Sequence, residues 1–260
     1  MSPKVISFSG KGGVGKSTLL VLMLKHIIET KKYDNILVID ADPDANIGDI
    51  IGEEIKFKET IGGKMTELQE RIQKRQIPLD VNKAQIIESE VFDSLIEMDQ
   101  FDLIEMGRGE GEGCYCSVNN TLKRIIDVLA KNYDIVLIDA PAGLEYFARK
   151  TGQDVTDLII VTDPSKMGFH TMERIVEVSK EVHLEFKQIL VIGNRFPEDL
   201  EDMLAKKVKA VNDERLKFLG ILPYDEEIST HNLKGDNLLT LSSENPLYKS
   251  AKTLFASIIG

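Results

Sequence analysis

Residues 10 to 17 decide the fold, and they are Gly10-Lys11-Gly12-Gly13-Val14-Gly15-Lys16-Ser17. The stretch fits the phosphate-loop pattern G-x-x-x-x-G-K-[ST], and it lies between the apolar run Val5 to Phe8 and the helical periodicity of Ser17 to Glu29. Glycines let the backbone curl so that several amide N–H groups converge on phosphate oxygens at a helix N-terminus. The sequence therefore predicts a phosphate cradle, in which Lys16 contacts the β- and γ-phosphates and Ser17 ligates Mg²⁺.

Short apolar runs bounded by turn residues recur along the chain and predict buried strands. These runs are Val5 to Phe8, Ile36 to Ile39, Leu103 to Met106, Ile135 to Ile138, Leu158 to Val161, Ile189 to Ile192 and Phe218 to Leu222. Helical periodicity follows in Ser17 to Glu29, Val118 to Ala130, Met172 to Val182, Leu200 to Val211 and Pro246 to Ile259. The alternation predicts an α/β fold of the P-loop NTPase kind, with a single doubly wound, mainly parallel sheet flanked by helices.

The whole chain, residues 1–260, is expected to form one P-loop ATPase domain. The segment from about 51 to 100 is longer than a normal crossover between strands. Its pattern predicts a helical insertion of two or three helices with a break at Gly62-Gly63.

Composition narrows the function classes. With 32 Lys and Arg against 43 Asp and Glu, the formal net charge of −11 argues against broad attraction to nucleic acid or an anionic membrane. The longest uninterrupted apolar run, Leu19 to Leu24, is far shorter than the ~20 residues that span a bilayer. The first strand leads directly into the glycine loop without the pattern of a signal peptide. We expect a cytoplasmic protein with no membrane or nucleic-acid partner.

Lys11 is a second lysine inside the loop, where the phosphates of its own subunit hardly need another cation. The stretch from Gly10 to Thr18 resembles the deviant Walker A motif of the MinD, ParA and nitrogenase-iron-protein class of P-loop ATPases. The resemblance implies that residues 10–18 bind ATP or ADP and that Lys11 crosses a dimer interface to the partner's nucleotide. The alternative for Lys11 is a solvated loop lysine.

Two aspartates follow predicted strands, where the carboxyl ends of parallel strands bring ligands to one edge of the sheet. Asp42 and Asn46 belong to Asp-Ala-Asp-Pro-Asp-Ala-Asn, and Asp139 begins Asp-Ala-Pro-Ala-Gly. By resemblance to the class, Asp139 holds Mg²⁺ directly or through a water, and Asp42 orients the attacking water with Asn46 near the hydration shell of the metal. Ala140 to Gly143 then resembles a switch that registers the γ-phosphate. Ordinary turn roles are the alternative.

The end of the Ile189 to Ile192 strand is followed by Gly193-Asn194-Arg195. This element resembles the base-contacting loop of the class, in which an asparagine pairs with the adenine edge. Pro223, in Leu-Pro-Tyr-Asp, is expected to pack against the base from the other side. A helix-capping asparagine and a proline turn are the alternative.

The only two cysteines, Cys114 and Cys116, lie one residue apart in a glycine-rich stretch after the Leu103 to Met106 strand. A disulfide between them would close a small, strained ring, so reduced thiols are expected. Two thiolates cannot fill a four-coordinate site, but a two-fold dimer brings four sulfurs to its axis and suits a soft divalent ion such as Ni²⁺ or Zn²⁺. The alternative is a flexible loop with two incidental thiols.

Taken together, the deviant loop, the Asp-Ala-Asp-Pro-Asp-Ala-Asn, Glu-Gly-Cys-Tyr-Cys and Asp-Ala-Pro-Ala-Gly segments and Gly-Asn-Arg resemble the CooC-type accessory ATPases over nearly the whole chain. The resemblance implies a homodimer that hydrolyses ATP slowly with Mg²⁺. It also implies that Ni²⁺ is held between Cys114 and Cys116 of both subunits and is carried to carbon monoxide dehydrogenase, the client. Zn²⁺ and Cu⁺ suit the same four sulfurs.

Two other functions are found among P-loop ATPases with the deviant Walker A motif. A MinD- or ParA-like positioning ATPase would need a basic DNA surface or an amphipathic membrane helix, and Pro246 to Gly260 carries only Lys249 and Lys252 as cations. An iron–sulfur electron donor resembling the nitrogenase iron protein would need two cysteines far apart, whereas this chain has one close pair. Both remain alternatives to the metallochaperone.

Overall fold

The computed structural model describes residues 3–76, 83–107, 129–141, 155–181, 183–184 and 186–259. Its strands are β1 Lys4–Gly10, β2 Ile36–Asp40, β3 Ile96–Glu97, β4 Asp102–Glu105, β5 Ile135–Asp139, β6 Asp157–Thr162, β7 Gln188–Asn194 and β8 Leu216–Leu222. They form one sheet in the order β3-β4-β2-β5-β1-β6-β7-β8. Every neighbouring pair is parallel except β3 with β4. The predicted mainly parallel α/β sheet is confirmed.

Helices cover both faces of this sheet. They are α1 Lys16–Thr30, α2 Ile47–Ile50, α3 Ile61–Gln73, α4 Lys83–Phe92, α5 Lys166–Glu181, α6 Glu201–Ala210, α7 Glu226–Lys234 and α8 Pro246–Ile259. Apolar residues of α3, α5 and α6 pack in the core on one face, and those of α1, α7 and α8 pack in the core on the other. The sheet is therefore doubly wound, as predicted.

The central strands are apolar throughout because both of their faces are covered. In β5, Val136 and Ile138 point into one core and Ile135 and Leu137 into the other, and all four are fully buried. Burying such a side chain contributes about 1.5–3 kcal/mol. This is why continuous apolar runs, rather than alternating ones, marked the strands in the sequence.

The predicted helix break at Gly62-Gly63 is wrong. Both glycines lie in the first turn of α3, which begins after Thr60. A Cβ at Gly63 would stand 1.9 Å from the carbonyl oxygen of Phe57, and the N–H of Gly62 donates to the carbonyl of Met106. The pair of glycines therefore permits close backbone packing at the start of a helix, and it does not end one.

Other boundaries differ from the sequence expectations. The short antiparallel edge strand β3 and the helix α7 were not predicted, and α5 begins at Lys166 rather than Met172. Most of the predicted helix from 118 to 130 lies outside the described residues. Within the ranges that the structure describes, no helix is both long and apolar enough to cross a bilayer.

Candidate nucleotide-binding site

The phosphate loop joins β1 to α1 at the carboxyl edge of the sheet. Gly10 has φ +150°, and a Cβ there would stand 2.2 Å from the carbonyl oxygen of Val161 in the neighbouring strand β6. Gly15, at φ +95°, precedes α1, and a Cβ there would stand 2.5 Å from Nδ2 of Asn194. Gly10 and Gly15 are thus required by close contacts that a side chain would break.

Open space lies in front of this loop. Within the described part of the chain, a Cβ added at Gly12 or Gly13 would have no atom within 4 Å, other than its chain neighbours. Among the residues that the structure describes, no side chain caps the N-terminus of α1, whose first residue, Lys16, is buried. Uncapped N–H groups at the start of a 15-residue helix favour an anion, and the residues present therefore fit a bound phosphate chain.

Asp139 is the last residue of β5 and is completely buried. The hydroxyl of Ser17 donates to its Oδ2, whereas its Oδ1 has no hydrogen-bond partner among the described atoms. Burial raises the pKa of Asp139 to about 6, although Ser17 and Lys16 oppose that shift. A buried carboxylate oxygen without a partner, beside a hydroxyl, matches the oxygen ligands of Mg²⁺, so these residues fit that ion.

Lys11 forms an ion pair within its own chain. Its Nζ lies 2.6 Å from Oδ2 of Asp163 and 3.3 Å from the hydroxyl of Ser165, just beyond the end of β6. This contact lowers the pKa of the Asp163 carboxyl, against the opposing effect of its partial burial. Lys11 is therefore not the freely solvated lysine of the alternative interpretation, and its role towards a partner subunit stays a prediction.

The loop after β2 is organised by a carboxylate that sequence reasoning did not select. Asp40 is completely buried and accepts hydrogen bonds from the backbone N–H groups of Asp42 (3.1 Å), Asn46 (2.7 Å) and Ile47 (2.9 Å). Burial, together with Asp139 nearby, raises the pKa of Asp40 well above its usual value. Asp40 thereby fixes the backbone of residues 42–47.

The two residues predicted from this loop lie on its surface side. Asp42 is half-buried, and its Oδ1 accepts the N–H of Asp44 at 3.1 Å, so it does make the turn contact of the alternative interpretation. Asn46 is exposed and precedes the single-turn helix α2. Their roles towards water and metal remain predictions, because these contacts do not test them.

A small cavity of about 110 Å³ lies beside α1, and the residues predicted to contact the base line part of it. Its lining includes Thr18, Asn194, Arg195, Pro223, Tyr224 and Asn232. The Nδ2 of Asn194 donates to the carbonyl of Val14 at 2.8 Å, and Nη1 of Arg195 donates to the carbonyl of Gly13 at 3.3 Å. Both residues thus hold the phosphate loop in place, a contact that the sequence did not predict.

Several predicted residues lie outside the described part of the chain. Cys114 and Cys116 belong to this group, and so does Gly143 at the end of the predicted switch. Within the described residues, no group of three or more His, Cys, Asp or Glu side chains could hold a metal ion.

Sequence reasoning missed Asp163, Asn232 and the structural role of Asp40. Asp163 carried a usable signal, since it follows a predicted strand just as Asp139 and Asp42 do, and its strand ends at the same edge of the sheet. No comparable signal in the sequence marked Asn232. It lies on the unpredicted helix α7 and reaches the hydroxyl of Thr18 at 3.3 Å only through the tertiary fold.

The fold, the glycine loop and the buried aspartate beside Ser17 are typical of the ATP-binding proteins of the P-loop ATPase class. The profile of the family described as an AAA domain matches residues 3–192, and the chain belongs to this family.

Known proteins similar to the chain support the class. An uncharacterized ATP-binding protein of Methanocaldococcus jannaschii is 40% identical over 255 residues, which are 98% of each chain. The carbon monoxide dehydrogenase accessory protein CooC of Rhodospirillum rubrum is 30% identical over 91% of this chain and 90% of its own. The crystal structure of a ParA family ATPase from Chlorobium tepidum has a TM-score of 0.70 at 16% identity, covering 97% of this chain and 98% of that one, and shows the same fold.

Proposed function

We propose that the chain is an ATP-dependent metallochaperone, a nucleotide-controlled homodimer that assists nickel insertion into carbon monoxide dehydrogenase. The observation that carries the proposal is the 30% identity with CooC of Rhodospirillum rubrum over 91% of this chain. The close cysteine pair, Cys114 and Cys116, supports it, because two such pairs supply the four sulfurs of a closed site.

ATP hydrolysis is assigned to the carboxyl edge of the sheet. The N–H groups of the loop and the ammonium of Lys16 bind the phosphates, and Ser17 with Asp139 holds Mg²⁺. When bound, the ion supplies positive charge that offsets the negative charge of the phosphates. Asp42 orients the attacking water, and the hydrogen bonds of Asp40 to residues 42–47 keep that loop in place. Pro223 and Asn194 bound the cavity for the base.

Lys11 completes the active site of the partner subunit. In the single chain its ammonium is held by Asp163 at 2.6 Å, and about a third of its side chain is exposed. A surface ion pair of this kind contributes at most about 1 kcal/mol. The triphosphate of a docked partner, which carries several negative charges, therefore competes successfully for Lys11. The exchange links dimer formation to the presence of ATP.

Nickel is the cargo of the dimer, held by Cys114 and Cys116 of both subunits. Hydrolysis and loss of the γ-phosphate return Lys11 to Asp163, loosen the dimer and separate the two thiolate pairs, so that the metal is released. Zn²⁺ is an alternative cargo because it binds the same donor set.

Size-exclusion chromatography coupled to metal analysis tests this function. The protein is loaded with Ni²⁺ or Zn²⁺ and run without nucleotide, with ADP and with ATP, alongside the Cys114→Ala/Cys116→Ala double variant. We expect one metal ion per two chains in the ATP-bound dimer and none in the double variant. A chain that stays monomeric under every condition, or a double variant that keeps its metal, would contradict the proposal.

A positioning ATPase of the MinD or ParA kind is the second candidate, and the likeness to the ParA family structure favours it. Two observations oppose it. The net charge is −11, and the apolar residues Leu247, Tyr248 and Phe255 of α8 are buried against the rest of the protein. Co-sedimentation with anionic vesicles or with DNA in the presence of ATP would favour this candidate over the metallochaperone.

A further inference from the structure

The helices α7 and α8 begin next to each other at the cavity beside α1, and a side chain caps each of them. Asp225 directly precedes α7, and its Oδ1 accepts the backbone N–H of Ile228 at 2.9 Å. Asn245 directly precedes α8, and its Oδ1 accepts the backbone N–H of Tyr248 at 2.9 Å. Asp225 and Asn245 are therefore the N-cap residues of the two helices.

Asn245 also joins the two helices. Its Nδ2 donates to Oδ2 of Asp225 at 3.1 Å and to Oε2 of Glu227, in the first turn of α7, at 2.9 Å. The residue is 3% exposed, and both its amide oxygen and its amide nitrogen are hydrogen-bonded. An amide nitrogen between two carboxylates offsets their mutual repulsion, so the start of α7 is held at the start of α8.

The joined caps set one wall of the cavity beside α1. Asp225 ends the short loop that follows β8, and both of its carboxylate oxygens accept hydrogen bonds. The lining on this side includes that loop and the first turns of the two helices, with Pro223, Tyr224, Asp225, Ile228 and Leu247. The position of this wall therefore depends on the hydrogen bond between Asn245 and Asp225.

The opposite side of the cavity is held by other contacts. It is formed by α1 and by Asn194, whose Nδ2 donates to the carbonyl of Val14 in the phosphate loop at 2.8 Å. The side-chain hydrogen bonds of Asn245 reach α7 and α8 instead. A change at Asn245 should therefore displace the wall next to α7 and leave the phosphate loop in place.

We propose that Asn245 is a positioning residue for the nucleotide base, because its amide holds the loop of Pro223 and Tyr224 in place through Asp225. The proposal deepens the proposed function and rests on it in one respect, the placement of the base in the cavity beside α1. It requires neither the cysteines nor a dimer. Asn245 acts on the affinity for the base of the nucleotide and leaves the affinity for the phosphates unchanged.

Binding of ADP and of pyrophosphate separates these two affinities. Pyrophosphate has the two phosphates of ADP without the base and the ribose, so it reports on the phosphate loop alone. ADP avoids both hydrolysis and the ATP-dependent dimer. Isothermal titration calorimetry in the presence of Mg²⁺ gives the two dissociation constants for each variant. We expect wild type to bind ADP more tightly than pyrophosphate.

Two substitutions keep the cap of α8 and remove the amide donor. Aspartate and serine are both good N-cap residues, so Asn245→Asp and Asn245→Ser retain an acceptor for the N–H of Tyr248. Asn245→Asp also places a third carboxylate beside Asp225 and Glu227. We expect it to weaken ADP binding by about tenfold, and Asn245→Ser by about fivefold. Pyrophosphate binding should stay within about twofold of wild type in both variants. Asn245→Ser keeps the test decisive if Asn245→Asp fails to fold.

An exchange of the two groups tests the contact itself. In the double variant Asn245→Asp/Asp225→Asn, the amide and the carboxylate trade places, and both positions keep a suitable cap. The hydrogen bond between them forms with its direction reversed, so the ADP affinity should recover at least about threefold relative to Asn245→Asp. Asn237→Ser is the matched control, because Asn237 caps the single turn Leu238–Thr240 instead of a helix at the cavity. It should bind both ligands as wild type does.

Two results would overturn the proposal. One is wild-type binding of ADP in both Asn245 variants, and the other is an equal loss of ADP and pyrophosphate binding, which indicates a general loss of structure. Tyr224→Ala then shows which assignment is wrong, since it removes a ring that lines the cavity and is 62% exposed. If it alone weakens ADP binding, the base lies in the cavity and only the role of Asn245 is refuted. A protein that binds no nickel but shows the expected loss in the Asn245 variants would contradict the metallochaperone and support the positioning role.

Discussion

The two halves of the carboxyl edge of the sheet are built in different ways. On the β1, β6 and β7 side, glycine backbone and donated hydrogen bonds shape the phosphate loop, and Gly10 and Asn194 contact other backbone directly. On the β4, β2 and β5 side, three buried carboxylates, Glu105, Asp40 and Asp139, stand next to one another. In the first half, close contacts leave no room for a larger side chain at the glycines. In the second half, burial makes the charged form of each carboxyl group unfavourable, and a cation or backbone N–H groups can offset this cost.

The largest effect is expected at Lys11, the lysine that lies inside the phosphate loop on the glycine side. Lys11→Ala should lower the rate of ATP hydrolysis by about 10³-fold, by analogy with other cations supplied in trans, and leave most of the ATP affinity. Steady-state phosphate release and a nucleotide-binding titration measure the two quantities. Lys58→Ala removes an exposed lysine and serves as the control. A parental rate in Lys11→Ala would show that Lys11 does not act on the partner's nucleotide.

Steric sensitivity of the glycine side is tested by Gly10→Ala. The added Cβ would meet the carbonyl oxygen of Val161 at 2.2 Å, so strands β1 and β6 must separate. We expect the free energy of unfolding to fall by about 3 kcal/mol, as for severe overpacking. Urea denaturation followed by circular dichroism measures it. Gly12→Ala, which adds a methyl group in open space, should cost much less, and equal losses in both variants would refute the steric argument.

The burial of Asp139 on the carboxylate side predicts that the unfolding free energy depends on pH when Mg²⁺ is absent. The folded-state pKa of Asp139 is raised to about 6, so the folded protein holds a proton that the unfolded chain has already lost. This contribution to stability is present below about pH 4 and disappears as the pH rises through 6. Asp139→Asn does not titrate. Relative to wild type, it should therefore gain about 2 kcal/mol in unfolding free energy between pH 4 and pH 7. A pH-independent difference between the two proteins would contradict the buried charge.

The smallest effect is expected at Asp163, a carboxylate that lies on the glycine side, just beyond the end of β6. Asp163→Asn should lower the unfolding free energy by less than about 1 kcal/mol, because the ion pair with Lys11 is partly exposed. The ATP-dependent dimer should form up to about fivefold more tightly, since Lys11 no longer leaves an ion pair. Analytical ultracentrifugation measures the dissociation constant, with Asp202→Asn on α6 as the control. A weaker dimer would show that Asp163 assists docking instead of competing with it.

The sequence predicts the glycine side better than the carboxylate side. Gly10 to Ser17 and the apolar runs are local patterns, and strand, loop and helix followed from them. Asp40 and Glu105 are acidic residues at the ends of apolar runs, and nothing local distinguishes a surface carboxylate from one buried under a loop. Their roles arise from the register of β2 with β4, which pairs residues far apart in the chain. The helix α7 was missed because only Ile228 among its residues is buried, so its periodicity is weak.

The position of β1 in the middle of the sheet has a consequence for how the protein is made. Lys4 pairs with Ile135 on one side, and Ile6 pairs with Asp157 on the other. Strand β1 thus waits, without its neighbours, until β5 and β6 have been synthesised. Nucleotide cannot assist the nascent chain before that point. Among the described strands, the one that leads into the phosphate loop therefore remains unpaired for the longest time during synthesis.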